Sequence, residues 1–387
     1  MVITNAIVCD VDGVKECDVK IEDGVIVELG NTLVDDEIID AKGSYLIPSL
    51  EDKNISLLDA TLNAKTIHAI ADEAKSGGVG RIIINPNTQP PIDNTIALEY
   101  AQNSIKDIDD VAIDLMINTL QDDLSLSNIA ILLKKGAAAP YMSTIAKNNI
   151  AIKIAEYVKM YDTTLYCKAE DNSLINSGVM LDGDVSSNLG LSGIPELSEV
   201  LHVSRMIEIA RYFDIKILFK AIASPRSIQL ISKAKKEGVR VSCEVSIHHL
   251  VRCDESCRDF NTIAKLNPPL ASKSDMKELQ ELLKNGEIDT LTTLHQPNSP
   301  VNKEVAFDDA AYGCSALADA LPLYYTKLVK SGLIDMQTLL KLTTNSAKIK
   351  VGSKANLVLL DTTKSYTVNN SDSLYNSEEL FGEVKSI

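Results

Sequence analysis

The feature that most constrains this chain is an alternation. Eight short runs of β-type apolar residues, at 46–51, 81–85, 112–117, 137–139, 164–167, 217–220, 240–244 and 290–293, are separated by stretches of helical periodicity. Strands alternating with helices predict an α/β fold, a closed (β/α)8 barrel of the TIM type rather than an open sheet. The clearest helix is "PELSEVLHVSRMIEIARYF". Pro195 stands near its start, and Leu197, Val200, Leu201, Met206, Ile207, Ala210 and Phe213 recur at i, i+3, i+4 spacing.

The two ends have a different texture. "AIVCDVDGVKECDVKIEDGVIVELG" reads as short strands joined by hairpin turns at Asp12-Gly13 and Asp23-Gly24, and the tail "GSKANLVLLDTTKSYTV" is similar. A small β-domain built from both termini is therefore expected, from 1–44 and 348–387, with the barrel spanning 45–347.

A formal net charge of −16 argues against a nucleic-acid or anionic-membrane partner. No run approaches the roughly 20 apolar residues that cross a bilayer, and Met1 to Asp10 lacks the pattern of a signal peptide. Seven scattered cysteines suit reduced thiols, so a cytoplasmic location is expected.

Barrels of this kind do their chemistry at the C-terminal ends of the strands. The residues expected there are Asn54 and Ser56, Asn87, Asn118, Met142, Lys168, Ala221, His248 and His249, and Leu294 and His295. A hydrolytic metal site needs several histidine or carboxylate ligands converging on an open position. The chain has five histidines; His68 and His202 fall inside helical patterns, which suits solvent exposure or packing. His248 and His249 with Cys253 and Cys257, in "HHLVRCDESC", contain the elements of a zinc site, although a loop with free thiols is the plainer reading. Cys314 has no base near it in sequence, and "SGGVG" is a helix-to-strand turn rather than a phosphate loop. Lys168 suits a Schiff base if its pKa is depressed, or more plainly a fixed positive charge.

Landmarks in a fixed order carry a resemblance: "GSYLIPSLED", "NPNTQPPIDN", "CKAEDN", "GLSGIPELSEV", "EVSIHHL", "KLNPPLASKSD", "LTTLHQPNSPVNKE", "ALADALPL" and "GSKANLVLLD". Over nearly its whole length the chain resembles dihydroorotase of the amidohydrolase superfamily. That resemblance implies a distorted barrel with a β-domain from both termini. It also implies zinc held by a His-x-His pair after the first strand, where Asn54 and Ser56 stand. The remaining ligand positions correspond to Met142 after the fourth strand, Lys168 and Ala221 after the fifth and sixth, and Leu294 in place of the acid/base aspartate after the eighth. On the substrate side Leu58 stands for an arginine and Asn298 for a histidine; Asn87 is kept, and Asn267 joins it as a pocket candidate.

With these replacements the expectation is no catalytic residue and no cofactor, the family's zinc site being lost. The implied role is a non-catalytic dihydroorotase homologue in pyrimidine biosynthesis, a structural or regulatory partner of aspartate carbamoyltransferase within a homo- or hetero-oligomer. The alternatives are an active amidohydrolase that opens a cyclic amide, or another enzyme on a rearranged site around Lys168, His248, His249 and His295. A binder that uses Asn87 and Asn267 is a third.

Overall fold

The computed structural model describes residues 1–121, 125–144 and 146–387. Its centre is a barrel of eight parallel strands: β1 (Leu50–Ile55), β2 (Val79–Ile84), β3 (Ala112–Asn118), β4 (Ala139–Met142), β5 (Thr164–Lys168), β6 (Lys216–Lys220), β7 (Val241–Ser246) and β8 (Thr290–Thr292). Each pairs with the next in chain order. The seam between β1 and β8 is closed differently. Ser56 N donates to His295 O at 2.9 Å. The Asp52 carboxylate, buried in β1, accepts from Thr292 Oγ1 at 2.6 Å and from both N and Oγ1 of Thr293 at 2.7 Å.

The strand boundaries differ from the expected ones by a residue or more, and two of the differences matter. The run at 46–51 is two strands. Tyr45–Pro48 pairs antiparallel with Leu357–Thr367 in the terminal sheet, and the barrel strand begins only at Leu50. Pro48 has no N–H to continue a ladder, so the chain leaves the sheet there. The fourth strand lies later than 137–139. Met142 is its last residue, and Tyr141 and Met142 lie in register with Tyr166 and Cys167 of β5. Side chains alternate along a strand. Tyr141 therefore faces the barrel interior beside Ile83, Met116 and Tyr166, while Met142 and Cys167 pack into the barrel–helix layer.

The termini meet as anticipated. Val2–Asp10, Gly13–Glu22, Val25–Gly30, Ile38–Asp40, Tyr45–Pro48, Leu357–Thr367 and Glu379–Ser386 form one seven-stranded sheet, with Ile3, Val8, Val19, Ile26, Leu46 and Leu357 in its core. Asp23 and Gly24 both have positive φ, 50° and 70°, as a type I′ hairpin turn demands.

Helix α1 (Ala64–Ser76) follows β1, α2 (Leu197–Phe213) precedes β6 and α3 (Pro225–Lys236) follows it. In α2 the buried stripe is Val200, Val203, Met206, Ile207 and Ala210, whereas Leu197 and Leu201 are exposed. The helix turns Glu199 inward instead, where its carboxylate accepts Ala223 N at 2.9 Å and Ser224 N at 3.0 Å at the start of α3. Capping a buried helix N-terminus outweighs burying one more leucine. Among the described residues no helix is long and apolar enough to cross a membrane.

Candidate functional site at the barrel mouth

A cavity of about 390 Å³ opens at the C-terminal end of the strands. Its lining includes Asn54, Ser56, Asn85, Asn87, Tyr141, Lys168, Lys220, Ala221, Asn267, Leu294, His295, Asn298 and Tyr312. The structure thus brings together most positions singled out from sequence. Met142 is separated from them by its outward pleat, and Leu58 is 43% exposed on a neighbouring groove.

The centre of the mouth is a buried polar network. Asn54 Nδ2 donates to Glu244 Oε1 at 2.7 Å, and Asn85 Nδ2 donates to Asn54 Oδ1 at 2.8 Å and to Ser56 Oγ at 3.3 Å. Glu244 Oε1 also accepts Ala221 N at 3.2 Å. Lys220 Nζ lies 3.8 Å from Glu244 Oε2, donates to the carbonyl of Lys53, and stands 5.3 Å from the Tyr166 ring centroid. Both side chains are almost wholly buried. Burial pushes the Lys220 ammonium down and the Glu244 carboxyl up, and their mutual attraction opposes both shifts.

Lys220 and Glu244 went unrecognised in the sequence, where the adjacent Ala221 was named for the sixth strand. The signal was present. "KILFK" and "VSCEVS" each place a charge inside an apolar strand run, and an inward-facing charge there needs a partner. Lys168 is the register partner of Lys220 on the next strand, and its Nζ reaches Glu170 Oε1 at 3.0 Å.

The mouth also retains backbone strain. Ala221 and Leu294, in the turns that follow β6 and β8, both have φ of 48°. A left-handed conformation at non-glycine residues costs on the order of 1–3 kcal/mol each and tends to persist at functional sites.

Asn87 and Asn267 both face the cavity, Asn87 exposed and Asn267 with a buried, unpartnered Oδ1. Asn298 is spent on structure: its Nδ2 donates to the carbonyls of Gln296 and Tyr312, each at 3.0 Å.

The histidines divide sharply. His68 is exposed on α1, and His202 packs inside α2 with Nε2 3.4 Å from Cys167 Sγ. His248 contacts Tyr375 Oη at 3.0 Å and Cys314 Sγ at 3.6 Å. Both ring nitrogens of His249 are engaged, by Ser246 Oγ at 2.7 Å and by the carbonyls of Pro268 and Pro269 at 3.2 Å. Cys257 is buried with its thiol turned to Ala264 O. The "HHLVRCDESC" residues are therefore engaged separately rather than gathered on one point. His295 Nδ1 accepts from Ala316 N and Leu317 N at 3.1 Å, so Nε2 carries its proton, facing Glu73 Oε2 at 3.5 Å.

This burial has a consequence in acid. It holds His248 and His295 at about 3 and His202 and His249 at about 4, below the ordinary 6.5. Their contribution to stability is complete above pH 6.5 and is lost as pH falls. Burial moves Glu73 and Glu199 the other way, to about 7, and raises Glu244; those contributions are complete below pH 4.5 and lost as pH rises. Between pH 6.5 and 4.5 the two sets oppose each other, and with four buried imidazoles against the carboxyls stability should fall as the pH drops. Urea midpoints at pH 6.5 and pH 4.5 will check the sign, and a higher midpoint at pH 4.5 would refute it.

Comparison with known proteins supplies the context for this geometry. A family profile described as dihydro-orotase-like matches residues 43–217. A protein named dihydroorotase from Elusimicrobium minutum is 36% identical, covering 98% of this chain and 90% of that protein. Another of that name, from Caldanaerobacter subterraneus subsp. tengcongensis, is 32% identical over 95% and 89%. Among solved structures, the L-hydantoinase (dihydropyrimidinase) from Arthrobacter aurescens superposes with a TM-score of 0.88 at 20% identity, covering 100% of this chain and 94% of that one.

These are relatives and structural neighbours among metal-dependent amidohydrolases, and that kinship overturns the expectation that the chain takes no cofactor. The donors at this mouth are amides, a serine hydroxyl, two lysines, the Asp59 carboxylate held by Ser299 N and Asn302, the His295 ring whose Nδ1 is taken by Ala316 N and Leu317 N, and the engaged Glu244 carboxylate behind them. They do not fit a hydrolytic zinc site, which calls for imidazole or carboxylate ligands converging around an open position. Among the described residues no three His, Cys, Asp or Glu side chains gather in that way. What the mouth does chemically is therefore derived from its own side chains. Identity of 32–36% across nearly the entire chain, on a barrel with the terminal sheet in place, makes this chain a member of the dihydroorotase family of the amidohydrolase superfamily.

Proposed function

We propose that this chain is a catalytically inactive dihydroorotase homologue that serves as a structural or regulatory partner of aspartate carbamoyltransferase. One observation carries the first half. Opening a cyclic amide requires a group that moves a proton between the attacking water and the leaving nitrogen. At this mouth the position after β8 is Leu294, and Asp52, the buried carboxylate hydrogen-bonded to the adjacent Thr293, is taken up by closing the barrel seam. A barrel kept whole, strained turns after β6 and β8 included, suits a protein selected for its outer surface. The choice of partner rests on the family resemblance.

Kinship with proteins named dihydroorotase favours a second reading, an active cyclic-amide hydrolase. One set of fractions separates the two. The chain is to be run alone and with the aspartate carbamoyltransferase of the same cell, with mass read by light scattering. Transcarbamoylase and dihydroorotate hydrolysis are then assayed across the peaks with zinc supplied. The proposal expects a stable heavier complex, transcarbamoylase activity that rises on mixing, and no hydrolysis. Two separate peaks with unchanged transcarbamoylase would refute the partnership, and turnover lost in an Asn54→Ala variant would establish the hydrolase.

A further inference from the structure

Lys220 has an environment that an assembly role leaves unused. It ends β6 on the wall of the mouth cavity, with Tyr166 and Tyr141 rings 5.3 and 6.0 Å from its Nζ. Glu244 is 3.8 Å away, and among the described residues no hydrogen bond reaches its Oε2. An ammonium in such surroundings loses its proton more readily than one in water, and a neutral lysine amine is a nucleophile toward carbonyl carbon. Lys168, its register partner on β5, lines the same cavity. Its side chain is 24% exposed, so a ligand can reach it. Asn85 is buried, lines the cavity and has no partner for its Oδ1 among the described residues.

We propose that Lys220 captures a small 2-oxo acid as an imine, with Lys168 and Asn87 receiving the carboxylate. The chemistry closes without a further reagent. The ammonium proton passes to Glu244, the freed amine adds to the keto carbon, and one N–H proton moves to the resulting alkoxide to give a carbinolamine. Its hydroxyl donates to Asn85 Oδ1. Glu244 then returns the proton to that hydroxyl, which leaves as water, and the nitrogen lone pair forms the C=N bond. The sum is ketone plus ammonium giving protonated imine plus water, with Glu244 returned to its carboxylate. A 2-oxo acid is favoured over a simple ketone because Lys168, on the neighbouring strand and lining the same cavity, offers a second ammonium to a carboxylate bonded to the reacting carbon. Such capture neither requires nor contradicts a partnership with a transcarbamoylase.

The test is reductive trapping on the full chain, with pyruvate and sodium cyanoborohydride at neutral pH, followed by peptide mass mapping. The expected result is a single reduced adduct on the peptide that carries Lys220. Its yield should exceed that of any other lysine by at least about tenfold, the gain in neutral amine for each unit of pKa depression. Acetone in place of pyruvate should label Lys220 less, and Lys168→Met should narrow that difference. Because Lys220→Met alone strands the Glu244 charge, the control is the double variant Lys220→Met/Glu244→Gln, which should lose the adduct while keeping the wild-type circular dichroism. Labelling of Lys220 no greater than that of surface lysines, or an adduct that persists in the folded double variant, would overturn the proposal. So would equal labelling by acetone and pyruvate.

Discussion

Replacing Lys220 by methionine will destabilise this protein by about 3–5 kcal/mol, and adding Glu244→Gln will restore most of the loss. The asymmetry follows from burial. Lys220 and Glu244 are 1% and 0% exposed, so removing the ammonium leaves a carboxylate in a low-dielectric interior with no counter-charge. It also strips the Lys53 carbonyl of its donor. In the double variant the charge is gone, and the glutamine oxygen still accepts from Asn54 Nδ2 and Ala221 N, as Glu244 Oε1 does now. Methionine fills the space against Tyr166 with little change of volume. Equilibrium urea denaturation of wild type, both single variants and the double variant forms the cycle. If the two changes add with no coupling, the buried pair is not the interaction described.

The second large effect sits at the barrel seam. Asp52→Ala should cost upwards of about 3 kcal/mol, because it leaves three donors on Thr292 and Thr293 unpaired in a dry site, each worth roughly 1–3 kcal/mol when orphaned. The same carboxylate accepts Asn54 N at 3.0 Å, so the loss reaches the mouth as well. Asp52→Asn, which keeps one carbonyl oxygen, should fall between. Amide exchange will show whether the damage is local: Thr293 N and Ser56 N, the two amides that close β8 on β1, should lose protection first. Uniform loss across all eight strands, or no loss of stability, would contradict a seam role for Asp52.

Both predictions concern residues that the sequence pattern underplays, and the reason is instructive. The barrel was legible because its evidence is local: apolar runs alternating with 3.6-period helices, and hairpin turns such as Asp23-Gly24 whose backbone demands are met by those two residues alone. The meeting of the two termini was legible from shared texture. The site was legible by position, since strand ends are where such barrels work, and Asn54, Ser56, Lys168, Ala221 and Leu294 do converge on one cavity.

Contacts between distant strands were not legible. Met142 was misplaced because a strand boundary moved, and a shift along a period-two element exchanges inside for outside. Leu197 and Leu201 were assigned to a core face that Glu199 took over in order to cap another helix. His249 and Cys257 sit a few residues apart in a motif that suggests metal, yet each is consumed by its own neighbours.

Sequence alone determined the barrel, the split β-domain and the kinship, because these rest on periodicity and on ordered motifs written along the chain. Only the tertiary structure decided the charge at the mouth. Lys220, Glu244 and Asn54 lie on three strands, far apart in sequence, and one hydrogen bond and one 3.8 Å contact join them. A buried charge is tolerable only beside its partner, and which residue is the partner is settled by how the strands close into a ring.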